Sequence, residues 1–250
     1  MTATLSSKGR VLPKIIGHRG VCGYAPENTL ASFKKASELG VKWVEFDAKL
    51  IASGDVIVFH DDTLDRTTSG SGDVARADLS LVRSLDAGSW FGEEFRGEPV
   101  PTLIETMQVL ADLGLAANVE IKPSPGMERQ TAEATCDVIR DHWPGGLPPP
   151  VISSFKDDCI AVACDRLPHI ERALLIEDDV TNWRARVERL SCCAVHIWHE
   201  LLSIEVMQEF HEFGVSVRSF TINDRALAAQ LFDWGLESIC TDFPDRFAGL

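Results

Sequence analysis

The sequence predicts a closed (β/α)8 TIM barrel. Short apolar and β-branched runs alternate with amphipathic segments along almost the whole 250-residue chain. Continuous apolar runs are typical of parallel strands that are buried on both faces, and eight such runs in a chain of this length fit a barrel. An open doubly wound sheet is the alternative, but no glycine-rich dinucleotide-binding motif follows any of the predicted strands.

The elements follow from the pattern of apolar residues and from their boundary residues. The first helix, for example, is predicted between Pro26 and Gly40, which are typical start and stop signals. The predicted strands are 14–17, 41–46, 117–121, 151–155, 172–176, 194–198, 215–220 and 238–241. The predicted helices are 27–39, 102–113, 128–142, 157–166, 181–190, 204–213 and 224–234.

One stretch interrupts this alternation. Residues 50–99 contain an extended run that ends at His60, a polar, glycine-rich segment and two short helical or aromatic pieces. We interpret this stretch as an insertion after strand two, on the face where barrel loops build active sites. The whole chain, 1–250, is expected to form one domain around it.

Composition narrows the classes of partner. The formal net charge is -14 and the sequence pI is about 4.9, so the surface repels nucleic acid and anionic membranes. The seven cysteines form no C-x-x-C pair, which indicates reduced thiols rather than a zinc ribbon or a redox pair. No apolar stretch is typical of a signal peptide or of a membrane span. We expect a cytoplasmic protein without stable membrane association; the oligomeric state is not predicted.

Three carboxylates lie at the carboxyl ends of predicted barrel strands. Glu45 and Asp47 are two residues apart, so they point to the same face, and Glu120 ends the next strand. Convergent carboxylates suit a hard cation such as Mg²⁺ or Ca²⁺. The alternative is a layer of salt bridges in which Arg19 and Lys122 neutralise the acids without a metal, but three acids then face only two bases.

Two of the seven histidines also follow apolar runs at this mouth. His18 ends the first strand and His60 ends the extended run of the insertion. Histidine titrates near neutral pH, so one can act as the general base and the other as the general acid. Arg19 offers a bidentate fork for a phosphate and Lys122 offers a point charge. His196 is interpreted as structural.

The sequence resembles the glycerophosphodiester phosphodiesterase family, in particular its short cytosolic bacterial members. Five motifs carry the resemblance in order and span nearly the whole chain: 17–20 (GHRG) with 26–29 (PENT), 45–47 (EFD), 58–61 (VFHD) with 64–72 (LDRTTSGSG), 118–122 (NVEIK) and 241–245 (TDFPD). One such motif is a weak signal, but the ordered set is specific.

The resemblance implies a barrel that hydrolyses a glycerophosphodiester, such as glycerophosphocholine, to glycerol 3-phosphate and an alcohol. By position, Glu45, Asp47 and Glu120 would bind one Mg²⁺ or Ca²⁺ ion. His18 and His60 would be the acid and base, and Arg19 and Lys122 would hold the phosphate. Phe220 stands near a position where relatives often have tryptophan, a departure that bears on the choice of alcohol.

The same residues allow other mechanisms and other classes of protein. Water or the glycerol 2-hydroxyl could be the nucleophile, and either histidine could be the base. A metal-dependent barrel aldolase or lyase also uses strand-end Glu and Asp, but it needs neither two histidines nor a phosphate-holding Arg and Lys. A non-catalytic phosphate-ester binder would typically lack one of the seven candidate residues, all of which are present. A lysophospholipid substrate is less compatible with the acidic surface than a water-soluble diester.

Overall fold

A computed structural model describes residues 9–250, in which eight parallel strands close into the predicted barrel. Closure is made by β1, which pairs with both β2 and β9. The strands in chain order are β1 (Ile15–Gly17), β2 (Trp43–Leu50), β3 (Val56–Val58), β4 (Ala116–Ile121), β5 (Val151–Ser154), β6 (Glu171–Ile176), β7 (Ala194–Trp198), β8 (Ser216–Phe220) and β9 (Ser238–Thr241). Of these, β3 is not a barrel strand, because it pairs antiparallel to β2.

Seven α-helices connect successive barrel strands, and one short helix, α2, belongs to the segment between β2 and α3. The helices are α1 (Leu30–Glu38), α2 (Leu79–Arg83), α3 (Leu103–Leu113), α4 (Glu128–His142), α5 (Asp157–Arg166), α6 (Trp183–Arg189), α7 (Ile204–Phe213) and α8 (Arg225–Asp233). After β9 the chain forms only a 3-10 turn, Pro244–Phe247.

Capping residues explain where several helices begin and end. Thr29 accepts a hydrogen bond from the Ser32 backbone, so α1 starts three residues later than predicted. Thr102 and Glu105 form a capping box at the start of α3, and Gly114 ends that helix with a φ of 63°.

The strand-two region differs most from the prediction. The sequence predicts a strand that stops at Phe46, whereas β2 continues to Leu50. Asp47 and Lys49 interrupt the apolar run, but the backbone continues to pair, with β4 on one side and β3 on the other. Residues between Leu50 and α3 enclose a small apolar cluster of their own, which includes Ile57, Leu64 and Val82.

The barrel interior changes in character from bottom to top. At the amino-terminal ends of the strands it is filled by apolar side chains such as Ile16 and Trp43. This lower part of the interior also holds a buried polar group, in which Arg218 donates to Glu171 at 2.7 Å and to His196 Nε2 at 3.2 Å. The carboxyl ends of the strands carry the predicted acids and therefore form the polar mouth of the barrel.

Within residues 9–250, no helix has the length and apolar character needed to cross a membrane. Residues 1–8, on which the expected absence of a signal peptide partly depends, lie outside the described residues.

Candidate active site

The strand register brings the three predicted carboxylates together. Asp47 on β2 lies directly beside Glu120 on β4, and Glu45 lies beside Asn118. One oxygen of each of Glu45, Asp47 and Glu120 can be chosen so that all three atoms lie within 4.8 Å of one another. The three side chains are buried. Parallel pairing of β2 with β4 is therefore what assembles this acidic cluster.

The cluster carries more negative charge than its surroundings balance. Burial and the charge of Asp47 raise the pKa of Glu45 well above its ordinary value and that of Glu120 to about 7. Burial alone would raise the pKa of Asp47 too, but the charges of Arg19 and Lys122 outweigh burial and hold this pKa at about 2. Such a set of buried oxygen donors, short of positive charge, fits a hard divalent cation.

Arg19 and Lys122 also contact the cluster. The Arg19 backbone donates to Glu45 at 3.0 Å, its Nη1 donates to Glu27 at 2.7 Å, and its Nε lies 3.6 Å from Asp47. Lys122 Nζ donates to Glu120 at 2.8 Å. The alternative salt-bridge layer is thus present in part, but it leaves the pKa of Glu45 and of Glu120 raised. These ion pairs alone do not compensate the three acids.

His18 lies at the mouth because β1 ends one residue before it and its backbone donates to Thr241 on β9. Its Nδ1 is 2.7 Å from Asp242 Oδ1. Asn223 donates to the other oxygen of Asp242 at 2.7 Å and fixes the carboxylate. Since a carboxylate accepts the Nδ1 proton, Nε2 is the ring nitrogen that remains able to exchange a proton with a substrate.

His60 is held in the same way by a different partner. Its Nδ1 is 2.7 Å from Asp61 Oδ1, and Arg66 donates to Asp61 and to Glu27. Burial, together with the charges of Arg19 and Lys122, lowers the pKa of His60 despite the opposing charge of Asp47. The surroundings therefore favour the neutral imidazole at this position.

Several site residues were not assigned roles from the sequence. Asn28 donates its amide to Asp47 Oδ2 at 2.8 Å and accepts from the Asp47 backbone at 3.3 Å. Its φ is 59°, a conformation that asparagine adopts more readily than most residues. Asn28 and Glu27 lie within the quoted P-E-N-T run, which is the signal that could have identified them. Asn223 had no comparable signal, because it acts only through Asp242.

Two adjoining spaces open at the acidic cluster. A cleft of about 500 Å³ is lined by residues that include His60, Glu120, Lys122 and Phe155. A smaller cavity of about 50 Å³ reaches into the barrel, and its lining includes His18, Glu45, Glu120, His196 and Phe220. Glu120 borders both spaces, so a ligand in the cleft would meet the acidic cluster between the two histidines.

Two aromatic side chains border these spaces. Phe155 and Phe220 line the spaces and meet edge to face with centroids 5.9 Å apart. Trp90 and Phe91 pack against each other and are absent from both linings.

The known proteins that this chain resembles belong to one enzyme family. Residues 18–246 match the model of the Glycerophosphoryl diester phosphodiesterase family. The chain is 31% identical to a glycerophosphodiester phosphodiesterase of Caldanaerobacter subterraneus, over 94% of this chain and 96% of that protein. It is 30% identical to a glycerophosphodiester phosphodiesterase of Bacillus subtilis, over 97% of this chain and 89% of that protein.

Among solved structures, the chain resembles a phosphodiesterase from Oleispira antarctica in complex with the product sn-glycerol-3-phosphate. The TM-score is 0.91 and the sequence identity is 39%, over 94% of this chain and 95% of that one. The resemblance therefore covers the barrel and the loops that form the mouth.

Proposed function

Because the chain belongs to the glycerophosphoryl diester phosphodiesterase family, we propose that it hydrolyses glycerophosphodiesters to glycerol 3-phosphate and an alcohol, with one Mg²⁺ or Ca²⁺ ion bound by Glu45, Asp47 and Glu120. One observation carries the catalytic part of the proposal. Two histidines, each oriented through Nδ1 by an aspartate, border a buried cluster of three carboxylates. The product bound in the Oleispira antarctica structure supports glycerol 3-phosphate as the product here.

The proposed site would balance the charge of the diester. When bound, the cation would supply Lewis-acid stabilisation of the phosphate oxygens. Arg19 and Lys122 lie beside the same carboxylates and hold further positive charge at the cluster, where we propose that they contact the phosphate. This local attraction is needed because the protein as a whole carries a net charge of -14.

The two histidines would move the protons. We assign His60 as the general base, because its surroundings lower its pKa and keep it neutral and ready to accept a proton. We assign His18 as the general acid, because Asp242 accepts from Nδ1 and stabilises the imidazolium that donates to the leaving alkoxide from Nε2. Asp61 and Asp242 act as positioning residues in this scheme.

A turnover screen with the purified protein tests the activity and its metal dependence together. Glycerophosphocholine and glycerophosphoethanolamine are supplied with Mg²⁺ or Ca²⁺, and glycerol 3-phosphate release is measured with and without EDTA. We expect release that chelation abolishes and that an excess of the cation restores. Absence of turnover on every diester would refute the proposed activity, and turnover that is insensitive to EDTA would refute the metal site.

Alanine variants test the two histidines and their separate assignments. His18→Ala and His60→Ala should each reduce turnover of glycerophosphocholine on the order of a hundred- to ten-thousandfold. A glycerophospho-p-nitrophenyl ester has a leaving group that needs little protonation, so His18→Ala should regain most of its rate on that ester. His60→Ala should stay impaired on both substrates. The reverse pattern would exchange the two roles, and near-normal rates for both variants would remove the histidines from the mechanism.

A further inference from the structure

A second group of potential metal ligands lies at the closing seam of the barrel. His18 Nδ1, Cys22 Sγ and Asp242 Oδ1 meet there, and one ligand atom of each can be chosen so that all lie within 4.8 Å of one another. Asp242 Oδ1 is 2.7 Å from His18 Nδ1 and 2.8 Å from Cys22 Sγ, and the sulfur is 3.7 Å from the same nitrogen. This group shares no residue with the acidic cluster of Glu45, Asp47 and Glu120.

We propose that His18, Cys22 and Asp242 form an inhibitory site for a thiophilic divalent cation, Zn²⁺ or Cd²⁺. The donor set is one sulfur, one imidazole nitrogen and one carboxylate oxygen. Zinc accepts all three donor types, whereas Mg²⁺ and Ca²⁺ prefer oxygen and would remain at the acidic cluster. Three protein ligands leave the fourth tetrahedral position for water.

The spacing suits such an ion after a small adjustment. Tetrahedral zinc with the usual bond lengths separates a sulfur from a nitrogen by about 3.5 Å, and a nitrogen from an oxygen by about 3.4 Å. The sulfur-to-nitrogen separation of 3.7 Å is already close to the required value. The two contacts of Asp242 are shorter because hydrogen bonds make them, and they would lengthen by less than about 1 Å when a cation replaces the protons.

The site is partly open to solvent, so an ion has access to it. The side chains of His18 and Asp242 are 18% and 22% exposed, and Cys22 is half-buried. Asn223 donates to Asp242 Oδ2, which leaves Oδ1 as the ligand atom and fixes the carboxylate from behind. Metal sites typically hold their ligands through such outer hydrogen bonds.

Binding would change the protonation of His18. The thiol loses its proton to solvent and its sulfur forms the bond to the cation. The imidazole keeps one proton, which moves from Nδ1 to Nε2 as Nδ1 becomes a ligand. This neutral Nε2–H is a much weaker acid than an imidazolium and cannot accept a proton, so His18 is lost to catalysis. The inhibition rests on the proposed role of His18, whereas binding of the cation does not.

Cadmium binding tests the site without reference to activity. Wild type, Cys22→Ser and Cys164→Ser are titrated with Cd²⁺ in excess Mg²⁺, and the thiolate-to-cadmium charge-transfer absorption is followed. Cys164 lies on α5 and is half-buried like Cys22, so it is the matched control. Serine at position 22 can still donate to Asp242, and thermal melting of all three proteins verifies that they are folded. We expect a saturable band of one equivalent in wild type and Cys164→Ser that Cys22→Ser lacks.

Inhibition by Zn²⁺ is then measured on glycerophosphocholine as the rate ratio with and without the cation for each protein. Loss of Cys22 should raise the inhibitory Zn²⁺ concentration by at least about 10- to 100-fold, since it removes a direct ligand. Equal sensitivity or equal cadmium absorption in wild type and Cys22→Ser would overturn the inference. A cadmium band without any diester turnover would instead retain the cation site and refute the proposed function.

Discussion

His18 and His60 are distinguished from the other five histidines by the residues that bind their side chains. Each has an aspartate on Nδ1, but the aspartates differ in their own partners. Asp61 is bound by the charged Arg66, whereas Asp242 is bound by the neutral amide of Asn223. Position at a strand end is the sequence signal that points to His18 and His60. The aspartates that bind them come from loops. Asp242 is 224 residues away from His18 in the chain, so no local sequence pattern links the two residues.

Asn28 gives a first prediction, because its amide is bound to Asp47 Oδ2. Asn28→Gly removes the amide but keeps a residue that tolerates the positive φ. We expect the concentration of Mg²⁺ or Ca²⁺ required for half-maximal turnover to rise about 10- to 100-fold, as is usual when a ligand loses its outer hydrogen bond. The measurement is a metal titration of turnover, with thermal melting as the control for folding. An unchanged metal requirement would show that Asn28 does not orient Asp47.

At the scale of elements, the helices and the barrel strands are largely readable from the sequence, because apolar periodicity and capping residues are local signals. β2 is the exception, since its outer half carries Asp47 and Lys49 and is held by pairing with β3 and β4. The sequence could predict that the site residues of β2 and β4 lie close together, because residues of two paired parallel strands lie side by side in a regular register. It could not predict the shape of the loop after β1, because that shape depends on how the loop packs on α1.

Packing of that loop on α1 gives a second prediction. Gly20 has a φ of 85°, and a Cβ there would lie 2.3 Å from Ser32 Oγ. That hydroxyl accepts from Val21 N and donates to Arg19 O, so it fixes the segment that follows His18. Gly20→Ala should therefore lower the free energy of unfolding by about 1–2 kcal/mol for the backbone and about 1–3 kcal/mol more for the clash.

Gly40→Ala is the matched control for this substitution. Gly40 also has a positive φ, 79°, but nothing lies within 4 Å of its added Cβ. Urea denaturation of both variants separates the two contributions, because only the backbone cost is common to them. Equal destabilisation would mean that Ser32 yields without cost and that α1 does not constrain the loop.

At the scale of the whole molecule, the barrel and membership of the enzyme family, both predicted from the sequence, are confirmed. Three expectations stay predictions: a single domain over 1–250, a cytoplasmic location and no nucleic-acid partner. The polar interior of the barrel was not predicted. The interpretation of His196 as structural stays a prediction. Its partner Arg218, and Glu171 which binds Arg218, come from other strands and become apparent only when the barrel closes.

This interior gives a third prediction, on the pH dependence of stability. Burial and the charge of Arg218 lower the pKa of His196 well below its ordinary value. Arg218 on β8 donates to His196, and Glu171 on β6 binds both Arg218 and Arg10. Below about pH 6.5 the unfolded chain takes up a proton at this histidine that the folded protein does not. The free energy of unfolding should therefore fall as the pH falls.

His196→Gln removes this titration and keeps a group that can accept from Arg218. Between about pH 6 and 5, the slope of unfolding free energy against pH should be smaller in the variant by up to about 1.4 kcal/mol per pH unit. Urea denaturation at several pH values gives both slopes. Identical slopes would mean that His196 takes up its proton in the folded protein as readily as in the unfolded chain.

Closure of the barrel by β1 and β9 has a consequence for how the protein is made. The carboxylates of β2 and β4 can come together when about half of the chain has left the ribosome, because both strands lie within its first 121 residues. His18 is synthesised early but acquires Asp242 only when β9 pairs with β1. An interrupted nascent chain would therefore lack the aspartate that binds His18, and the general acid that we propose would be complete only with the last strand in place.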